Sequence, residues 1–238
     1  MVISGFAFPR SRVVALVDGA EAKSASAGSD GSFSIAIESI ARGVYTFGIY
    51  ALDGNQVRSS TFSTSFTVTG ARTTALGNVN LAPSIKVTPD PVTSGQALAV
   101  TGYALPNATI TIETERDKNT ASRKSFTAQS DGSGAWSLSI DTNGFSNGTY
   151  KIRARAVGVD GVLSTGFSNY TYYGVGQAAD RPSSADLNRD GKVNLTDFSI
   201  LLFWWNTDGG TSNPPADING DKKVNLTDFS IMLFQWTG

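Results

Sequence analysis

Short apolar runs separated by turn residues fill the first three quarters of the chain. Between residue 2 and about residue 175, runs rich in Val, Ile, Phe, Tyr and Thr are separated by turn signals roughly every eight to twelve residues. Apolar and polar residues alternate within a run, as in Phe33, Ile35 and Ile37 after the Asp30-Gly31 turn. Successive side chains of a strand point to opposite faces, so each run predicts a strand with one buried face. The pattern predicts a mainly β fold built from β-sandwiches.

Several of these segments occur twice. Residues 3–9 match 100–106, residues 29–33 match 130–136, and residues 43–47 match 148–152. The offset grows from 97 (100 − 3) to 101 (130 − 29) and 105 (148 − 43), which predicts longer loops in the second copy. The segments resemble bacterial immunoglobulin-like modules and, less closely, carboxypeptidase regulatory-type domains. This resemblance implies two tandem immunoglobulin-like β-sandwiches, which we place at residues 1–82 and 83–174.

The two copies differ at their beginnings. The second copy has an additional strand candidate at residues 84–88, whereas the first copy begins at Met1 without a counterpart. Either the chain has been trimmed, or another segment fills the missing edge of the first sandwich. Residues 70–83 are expected to complete the first module and cross into the second. Residues 175–184 are expected to form a linker to the C-terminal region.

The period of the apolar positions changes after this linker. Residues 198–205 and 229–236 form two nearly identical apolar runs, and each predicts a helix. Helical spacing predicts one face formed by Phe198, Leu201, Leu202 and Trp205 in the first helix and by Phe229, Met232, Leu233 and Trp236 in the second. A second apolar face carries Ile200, Phe203 and Trp204, and in the second helix Ile231 and Phe234. A module of about fifty residues buries one face of each helix, so the other face is expected to be covered by a partner or by a neighbouring module.

Each apolar run follows a twelve-residue segment rich in oxygen-bearing side chains. Residues 186–197 and 217–228 share the same pattern at a spacing of 31 residues (217 − 186). Side-chain oxygens at positions 1, 3, 5, 9 and 12 and the carbonyl at position 7 are ligands suited to Ca²⁺. The predicted ligands are Asp186, Asn188, Asp190, the Lys192 carbonyl, Asn194 and Asp197 in loop one, and Asp217, Asn219, Asp221, the Lys223 carbonyl, Asn225 and Asp228 in loop two. We therefore expect two calcium ions as cofactors, whose binding drives folding of this region.

One position distinguishes the two loops. Loop one has Gly191 at its sixth position, where the chain turns sharply, whereas loop two has Lys222. A residue with a side chain adopts a positive φ only at a cost of about 1 kcal/mol. Loop two is therefore predicted to be the weaker calcium site.

The paired loop-helix units resemble a type I dockerin, the calcium-dependent docking module of cellulosomal and other bacterial surface proteins. The resemblance covers roughly residues 180 to 238, and we place the dockerin-like module at residues 185–238. A full EF-hand has a helix before each loop and Glu at position 12. Here the preceding segments contain helix breakers, and position 12 is Asp197 or Asp228.

The dockerin resemblance implies docking to a cohesin-like protein through positions 10, 11, 17 and 18 of each repeat. These positions hold Leu195, Thr196, Leu202, Phe203, Leu226, Thr227, Leu233 and Phe234. Trp204 is expected to belong to the same partner-binding surface. Dockerins commonly have small hydroxyl and basic residues at such positions, so the apolar residues here depart from ordinary cellulosomal pairing.

Composition excludes several classes of function. The 238-residue chain has a formal net charge of −1, so no basic surface indicates nucleic acid or an anionic membrane as partner. It has no Cys and no His, which excludes thiol chemistry, disulfides and histidine bases. Apolar runs stay well short of a membrane span of about 18 residues. Glu113 and Glu115 lie on a predicted strand without an arrangement that identifies an acid and base pair, so we predict that the chain is not an enzyme.

These features predict an extracellular or cell-surface bacterial protein with a calcium-dependent docking module and immunoglobulin-like spacers. Intramolecular packing of the helices on the second sandwich is an equal alternative to an external partner. A second alternative is a carbohydrate-binding or adhesive segment, for which Tyr170, Tyr172 and Tyr173 would provide a stacking strip. A third is an assembly subunit whose first sandwich is completed by a strand from another chain.

Overall fold

The computed structural model describes all residues except 70–72, 180–184, 189–192, 211, 213–214, 220 and 238. The chain divides into two compact units, Met1–Asp180 and Arg181–Gly238. The described residues form fourteen strands in the first unit and two short helices in the second. The predicted fold class, mainly β with a small helical C-terminal region, is confirmed.

Module one is a sandwich of two sheets. Its strands are β1 (Val2–Phe6), β2 (Arg12–Val17), β3 (Ala20–Ser26), β4 (Ser32–Ala36), β5 (Gly43–Leu52), β6 (Phe62–Val68) and β7 (Ala75–Asn80). The sheets have the orders β4-β1-β7 and β3-β2-β5-β6. Alternate residues of these strands, among them Ile3, Phe33, Ile35, Phe47 and Ile49, are buried in one core between the sheets.

Module two repeats this arrangement with its own core. Its strands are β8 (Lys86–Thr88), β9 (Ala97–Tyr103), β10 (Thr109–Arg116), β11 (Asn119–Gln129), β12 (Ala135–Asp141), β13 (Gly148–Val157) and β14 (Thr171–Val175). The sheets have the orders β12-β9-β8 and β11-β10-β13-β14. The core contains Leu98, Ile110, Trp136, Ile152 and Tyr173. The linker predicted at residues 175–184 overlaps β14 at Val175, and its residues 180–184 lie outside the described part of the chain.

The edge that the sequence left open in module one is paired within the chain. Strand β7 runs parallel to β1 on the side away from β4, with Val2 opposite Ala75 and Phe6 opposite Asn80. In module two the corresponding side of β9 is occupied by β8, which runs antiparallel. The structure therefore shows another segment filling the edge, and the hydrogen-bonding groups of β1 are used inside module one.

The two modules pack against each other through equivalent positions of the repeat. Phe6 of module one contacts the core of module two, and Tyr103, the matching residue of module two, contacts the core of module one. Gly134 lies close to Pro9, because a Cβ added to Gly134 would be 2.7 Å from Cδ of Pro9. A Cβ on Gly31 would likewise be 3.6 Å from Cδ of Pro106. These reciprocal contacts shield Phe6 and Tyr103 in part, and the two modules belong to one compact unit.

A charged network covers the outer face of β10, β11 and β13. Glu115, whose side chain is only 3% exposed, accepts a hydrogen bond from Nε of Arg123 at 2.7 Å and lies 3.5 Å from Nζ of Lys151. Glu113 and Arg153 form a neighbouring ion pair at 2.8 Å. Burial by itself would raise the pKa of Glu115, but the hydrogen bond and charge of Arg123 and the charge of Lys151 outweigh it and lower the pKa.

We predict that Glu115→Gln destabilises the chain by about 1–2 kcal/mol at neutral pH, because Arg123 and Lys151 lose their shared carboxylate. A carboxyl with a lowered folded-state pKa stabilises the fold above its unfolded-state pKa, and this contribution is lost as the pH falls through the folded-state value. The difference between the variant and the original chain should therefore shrink in acid. Urea unfolding followed by circular dichroism at neutral and acidic pH measures this difference.

Glu21→Gln is the matched control. Glu21 also pairs with an arginine, Arg12, at 2.6 Å, but its side chain is 47% exposed. Exposed pairs contribute little because water and salt screen them. Equal losses in the two variants would contradict the role given to the shielded carboxylate of Glu115.

Candidate calcium-binding loops and docking face

The two helices begin inside the predicted loops. Helix α1 is Leu195–Phe203 and helix α2 is Leu226–Phe234, so each starts at position 10 of its loop. The apolar runs predict helices that begin at the last ligand, position 12, two residues later. The earlier start has a local cause, because positions 9 and 12 form a capping box at each helix.

The capping box uses two of the predicted ligands in each loop. Asn194 accepts a hydrogen bond from the N–H of Thr196 at 2.7 Å, and its own N–H donates to Oδ2 of Asp197 at 2.8 Å. Loop two has the same bonds, from Thr227 to Asn225 at 2.7 Å and from Asn225 to Asp228 at 2.8 Å. The residues predicted to close each calcium loop therefore also start its helix.

The carboxylate at position 12 is buried and also holds the beginning of the loop. Asp197 is fully buried, and its Oδ1 accepts hydrogen bonds from the N–H groups of Leu187 at 2.7 Å and Asn188 at 3.1 Å. The fully buried Asp228 binds the N–H groups of Ile218 and Asn219 at the same distances, 2.7 and 3.1 Å. Each of these carboxylates thus accepts three backbone hydrogen bonds that tie the loop start to the helix start.

Within loop two, the first three predicted side chains turn inward onto the loop backbone. Asp217 accepts hydrogen bonds from the N–H groups of Asp221 at 3.2 Å and Lys222 at 2.8 Å. Oδ1 of Asn219 accepts from the N–H of Asp221 at 2.9 Å, and Oδ1 of Asp221 accepts from the N–H of Lys223 at 2.9 Å. These bonds hold the side chains of positions 1, 3 and 5 against the backbone of their own loop.

Positions 7 and 9 of loop two join the same group. The side-chain amide of Asn225 donates to the carbonyl of Lys223 at 2.9 Å, and the amide of Asn219 donates to Oδ2 of Asp221, also at 2.9 Å. All six predicted calcium ligands of loop two are thus oxygen-bearing groups of one hydrogen-bonded loop. Oxygen ligands are the kind that Ca²⁺ requires. No three acidic side chains are arranged to hold an ion by themselves among the described residues. Amide and carbonyl oxygens accordingly belong to the predicted donor set.

Loop one can be followed only in part. Asp186, Asn188, Asn194 and Asp197 are described, and Asn194 and Asp197 repeat the bonds of their loop two counterparts. Asp190 and the carbonyl of Lys192, two further predicted ligands, lie outside the described residues.

The helices and loops share a small core with internal symmetry. Its buried members form equivalent pairs of the two repeats, namely Ala185 and Ala216, Leu187 and Ile218, Val193 and Val224, and Leu201 and Met232. The rings of Phe198 and Phe229 meet across the pair at 4.9 Å between centroids. Leu202 and Leu233, which helical spacing places on the same face as Leu201 and Met232, are 48% and 51% exposed, whereas Leu201 and Met232 are fully buried.

Comparison with known proteins agrees with this geometry at the C-terminal unit. Residues 184–233 match the family model described as the dockerin type I domain. These residues form a type I dockerin module. A dockerin domain implies calcium binding and calcium-dependent docking between proteins, and such modules occur in extracellular and cell-surface proteins. No match was found among curated proteins.

Solved structures similar to the chain are β-sandwich proteins of low sequence identity. The chicken interferon gamma receptor alpha chain is 20% identical, with 69% of this chain and 85% of that chain covered and a TM-score of 0.33. A tetra-tandem repeat from the extending region of a large adhesion protein is 16% identical, with coverage of 73% and 48% and a TM-score of 0.32. A putative membrane anchored protein from Corynebacterium diphtheriae is 11% identical, with coverage of 74% and 48% and a TM-score of 0.34. Among the described helices of this chain, none is long and apolar enough to cross a membrane.

The dockerin module exposes a duplicated set of large apolar side chains. We call this set the apolar face. It consists of Leu195, Leu202 and Phe203, exposed by 70%, 48% and 77%, and of Leu226, Leu233 and Phe234, exposed by 65%, 51% and 84%. Thr196 and Thr227, which were also predicted to contact a partner, are exposed as well. Trp204 differs from these residues, because it is half-buried and packs against the dockerin core.

The three tyrosines considered for glycan stacking do not form one strip. Tyr173 is fully buried in the core of module two, where its hydroxyl bonds that of Thr114 at 2.8 Å and burial raises its pKa to about 12. Neighbouring residues of a strand face opposite sides, so Tyr172 cannot share the direction of Tyr173. The ring of Tyr170 is contacted by the cations of Lys151 at 4.8 Å and Arg153 at 4.9 Å.

The residue at position 6 of loop two has a positive φ, the conformation from which weaker calcium binding by this loop is predicted. Lys222 has a φ of 69°, in the left-handed region that favours glycine. Its N–H is held by Asp217, so the turn cannot relax without losing that bond. The predicted weakness of loop two relative to loop one stays a prediction.

We predict that Lys222→Gly tightens calcium binding at loop two by roughly two- to fivefold, because the strain of a left-handed residue with a side chain is removed. Lys222→Ala is the control, since it removes the same positive charge but keeps a Cβ. Calorimetric titration of calcium into the full chain measures the weaker binding step. Equal affinities for the glycine and alanine variants would show that charge, and not backbone strain, sets the strength of this site.

Proposed function

We propose that this chain is a non-catalytic modular protein that docks to a protein partner through the apolar face of its dockerin, in a calcium-dependent manner. The observation that carries the proposal is the duplicated exposure of large apolar side chains directly after both candidate calcium loops. The two sandwich modules act as a stiff spacer. The dockerin match and the absence of Cys and His support an extracellular or cell-surface location and a non-catalytic role.

The apolar face has the composition of a protein interface. Six large apolar side chains are each about half exposed or more. Covering one such side chain contributes roughly 1.5–3 kcal/mol, so a few of them suffice as anchors of an interface. Soluble proteins seldom expose apolar patches of this kind without a binding role. A partner with a complementary apolar surface fits them better than one that offers charged groups.

Calcium is linked to this face through the capping boxes. Loop two would hold its ion with Asp217, Asn219, Asp221, the Lys223 carbonyl, Asn225 and Asp228, and loop one with Asp186, Asn188, Asp190, the Lys192 carbonyl, Asn194 and Asp197. A bound ion would offset the repulsion among three carboxylates in each loop. Positions 9 and 12 belong both to this donor set and to the helix start, so losing the ions disturbs the helices that carry the apolar face.

Three other functions were considered beside docking to an external protein, and each is weighed against a specific observation or test. Intramolecular packing of the apolar face on module two would make the same residues structural, and it is one outcome of the test below. Completion of module one by a strand from another chain has no support, because β7 already pairs with the open side of β1. A tyrosine strip for glycans has no support either, because Tyr173 is in the core.

The double variant Phe203→Ser and Phe234→Ser tests the docking role. These side chains are 77% and 84% exposed, so the change should leave the fold intact but lower capture of the partner by about tenfold or more. The immobilised full chain is incubated with surface proteins of the source cells in calcium and in chelator, and captured proteins are identified by mass spectrometry. We expect one protein that is bound only in calcium and is lost in the variant.

Val159→Ser with Val162→Ser provides the matched control. These valines are 86% and 80% exposed in a loop of module two, so the control removes similarly exposed apolar groups outside the dockerin. Equal capture by both double variants would contradict docking through the apolar face. A lower thermal stability of the phenylalanine variant, without any calcium-dependent capture by the original chain, would instead favour intramolecular packing.

A further inference from the structure

We propose that the cleft between the two sandwich modules binds a short saccharide. The cleft has a volume of about 640 Å³, within the usual range for small-molecule sites. Its lining from module one comprises residues 8–12, 29, 52–54 and 56, and its lining from module two comprises Tyr103 and residues 132–133. The site exists only because the modules pack together, and junctions of this kind are common places for ligand sites.

The walls of the cleft are already ordered by buried hydrogen bonds. Asp53, which is only 4% exposed, accepts from the N–H groups of Asn55 at 2.8 Å and Val57 at 2.9 Å. Its second oxygen accepts a bond of 2.7 Å from the hydroxyl of Ser84, which in turn accepts from the N–H of Tyr103 at 2.9 Å. This chain of bonds joins the two walls, so a ligand would not have to order them on binding.

Two polar residues of the cleft have unusual backbone conformations. Arg10 and Gln56 have φ values of 59° and 61°, although neither is a glycine. The repeat provides a comparison, because Pro9-Arg10 corresponds to Pro106-Asn107 and Asn107 has a φ of 53°. Asparagine tolerates this conformation better than arginine, for which it costs about 1 kcal/mol or more. Module one therefore has a long cationic side chain where the local backbone favours asparagine, and strain of this kind concentrates at functional sites.

The groups around the cleft suit the hydroxyls and the apolar ring face of a sugar. Arg10, Arg12 and Gln56 bring side-chain donors, and Tyr103 brings an aromatic ring. Formal charges balance around the cleft, since Arg12 pairs with Glu21 at 2.6 Å and the cleft contains one further cation, Arg10, and one carboxylate, Asp53. A cleft with many donors and little net charge favours a saccharide over a polyanion.

The test uses the full chain in calcium and the variant Arg10→Asn. Asparagine suits the left-handed backbone, so this variant should be at least as stable as the original chain while losing the guanidinium. Binding is measured on a panel of immobilised neutral and uronate-containing oligosaccharides, and retained sugars are then titrated by calorimetry. We expect at least one saccharide to be retained and its affinity to fall by about tenfold in Arg10→Asn, as for the loss of a charged hydrogen-bond donor.

Lys118→Asn is the matched control, because Lys118 is an exposed cationic residue with a φ of 60° in the turn between β10 and β11. It lies outside the cleft lining, so its variant should bind normally. Gln56→Asn gives a second, independent change within the cleft. The proposal is overturned if no saccharide of the panel is retained, or if the cleft variants and Lys118→Asn bind equally.

Chelation separates this site from the dockerin. Binding in the cleft should survive removal of calcium, because both walls belong to the sandwich modules and their hydrogen bonds involve none of the predicted calcium ligands. Sugar binding that disappears in chelator would overturn the assignment to the cleft. Loss of calcium-dependent protein capture, by contrast, would bear only on the docking role.

Discussion

The C-terminal unit depends on two buried carboxylates, those of Asp197 and Asp228. Each is removed from water, and each accepts three backbone hydrogen bonds that compensate part of the cost of burying its charge. Nine-residue helices are too short to be stable alone, and the shared apolar core is small. Helix propensity and apolar burial are therefore not enough to fix this unit. The two carboxylates stabilise it by linking the start of each loop to the start of its helix.

This connection explains why metal binding and docking belong to one structural unit. The same Asn and Asp side chains cap the helix and belong to the predicted set of calcium ligands, so the energy of ion binding would be available to order the helix. The apolar side chains at positions 10, 17 and 18 are carried on that helix. Since the loop-helix unit occurs twice, the dockerin exposes two similar sets of apolar side chains, one from each repeat.

The sequence predicted the features that depend on local spacing. Alternation predicts the strands, and the glycine position of the twelve-residue pattern predicts the positive φ of Lys222. It did not predict features that depend on long-range packing. The parallel pairing of β7 with β1 joins residues about seventy positions apart, and the exposure of Leu202 depends on which side of the helix packs on the shared core. The helices start earlier than the apolar runs indicate because the capping box extends each helix into its loop.

The internal duplications separate architecture from function. Where both copies of a repeat have the same kind of residue in the same role, as at positions 9 and 12 of the two loops, the fold itself accounts for it. Where two copies share a backbone conformation but differ in the residue that adopts it, the fold alone does not explain the choice of residue. Arg10 takes the backbone conformation that Asn107 adopts more easily in module two. Its cost is local, whereas its guanidinium lies at a cleft that only the packed pair of modules creates, and so the difference between the copies points to a ligand rather than to stability.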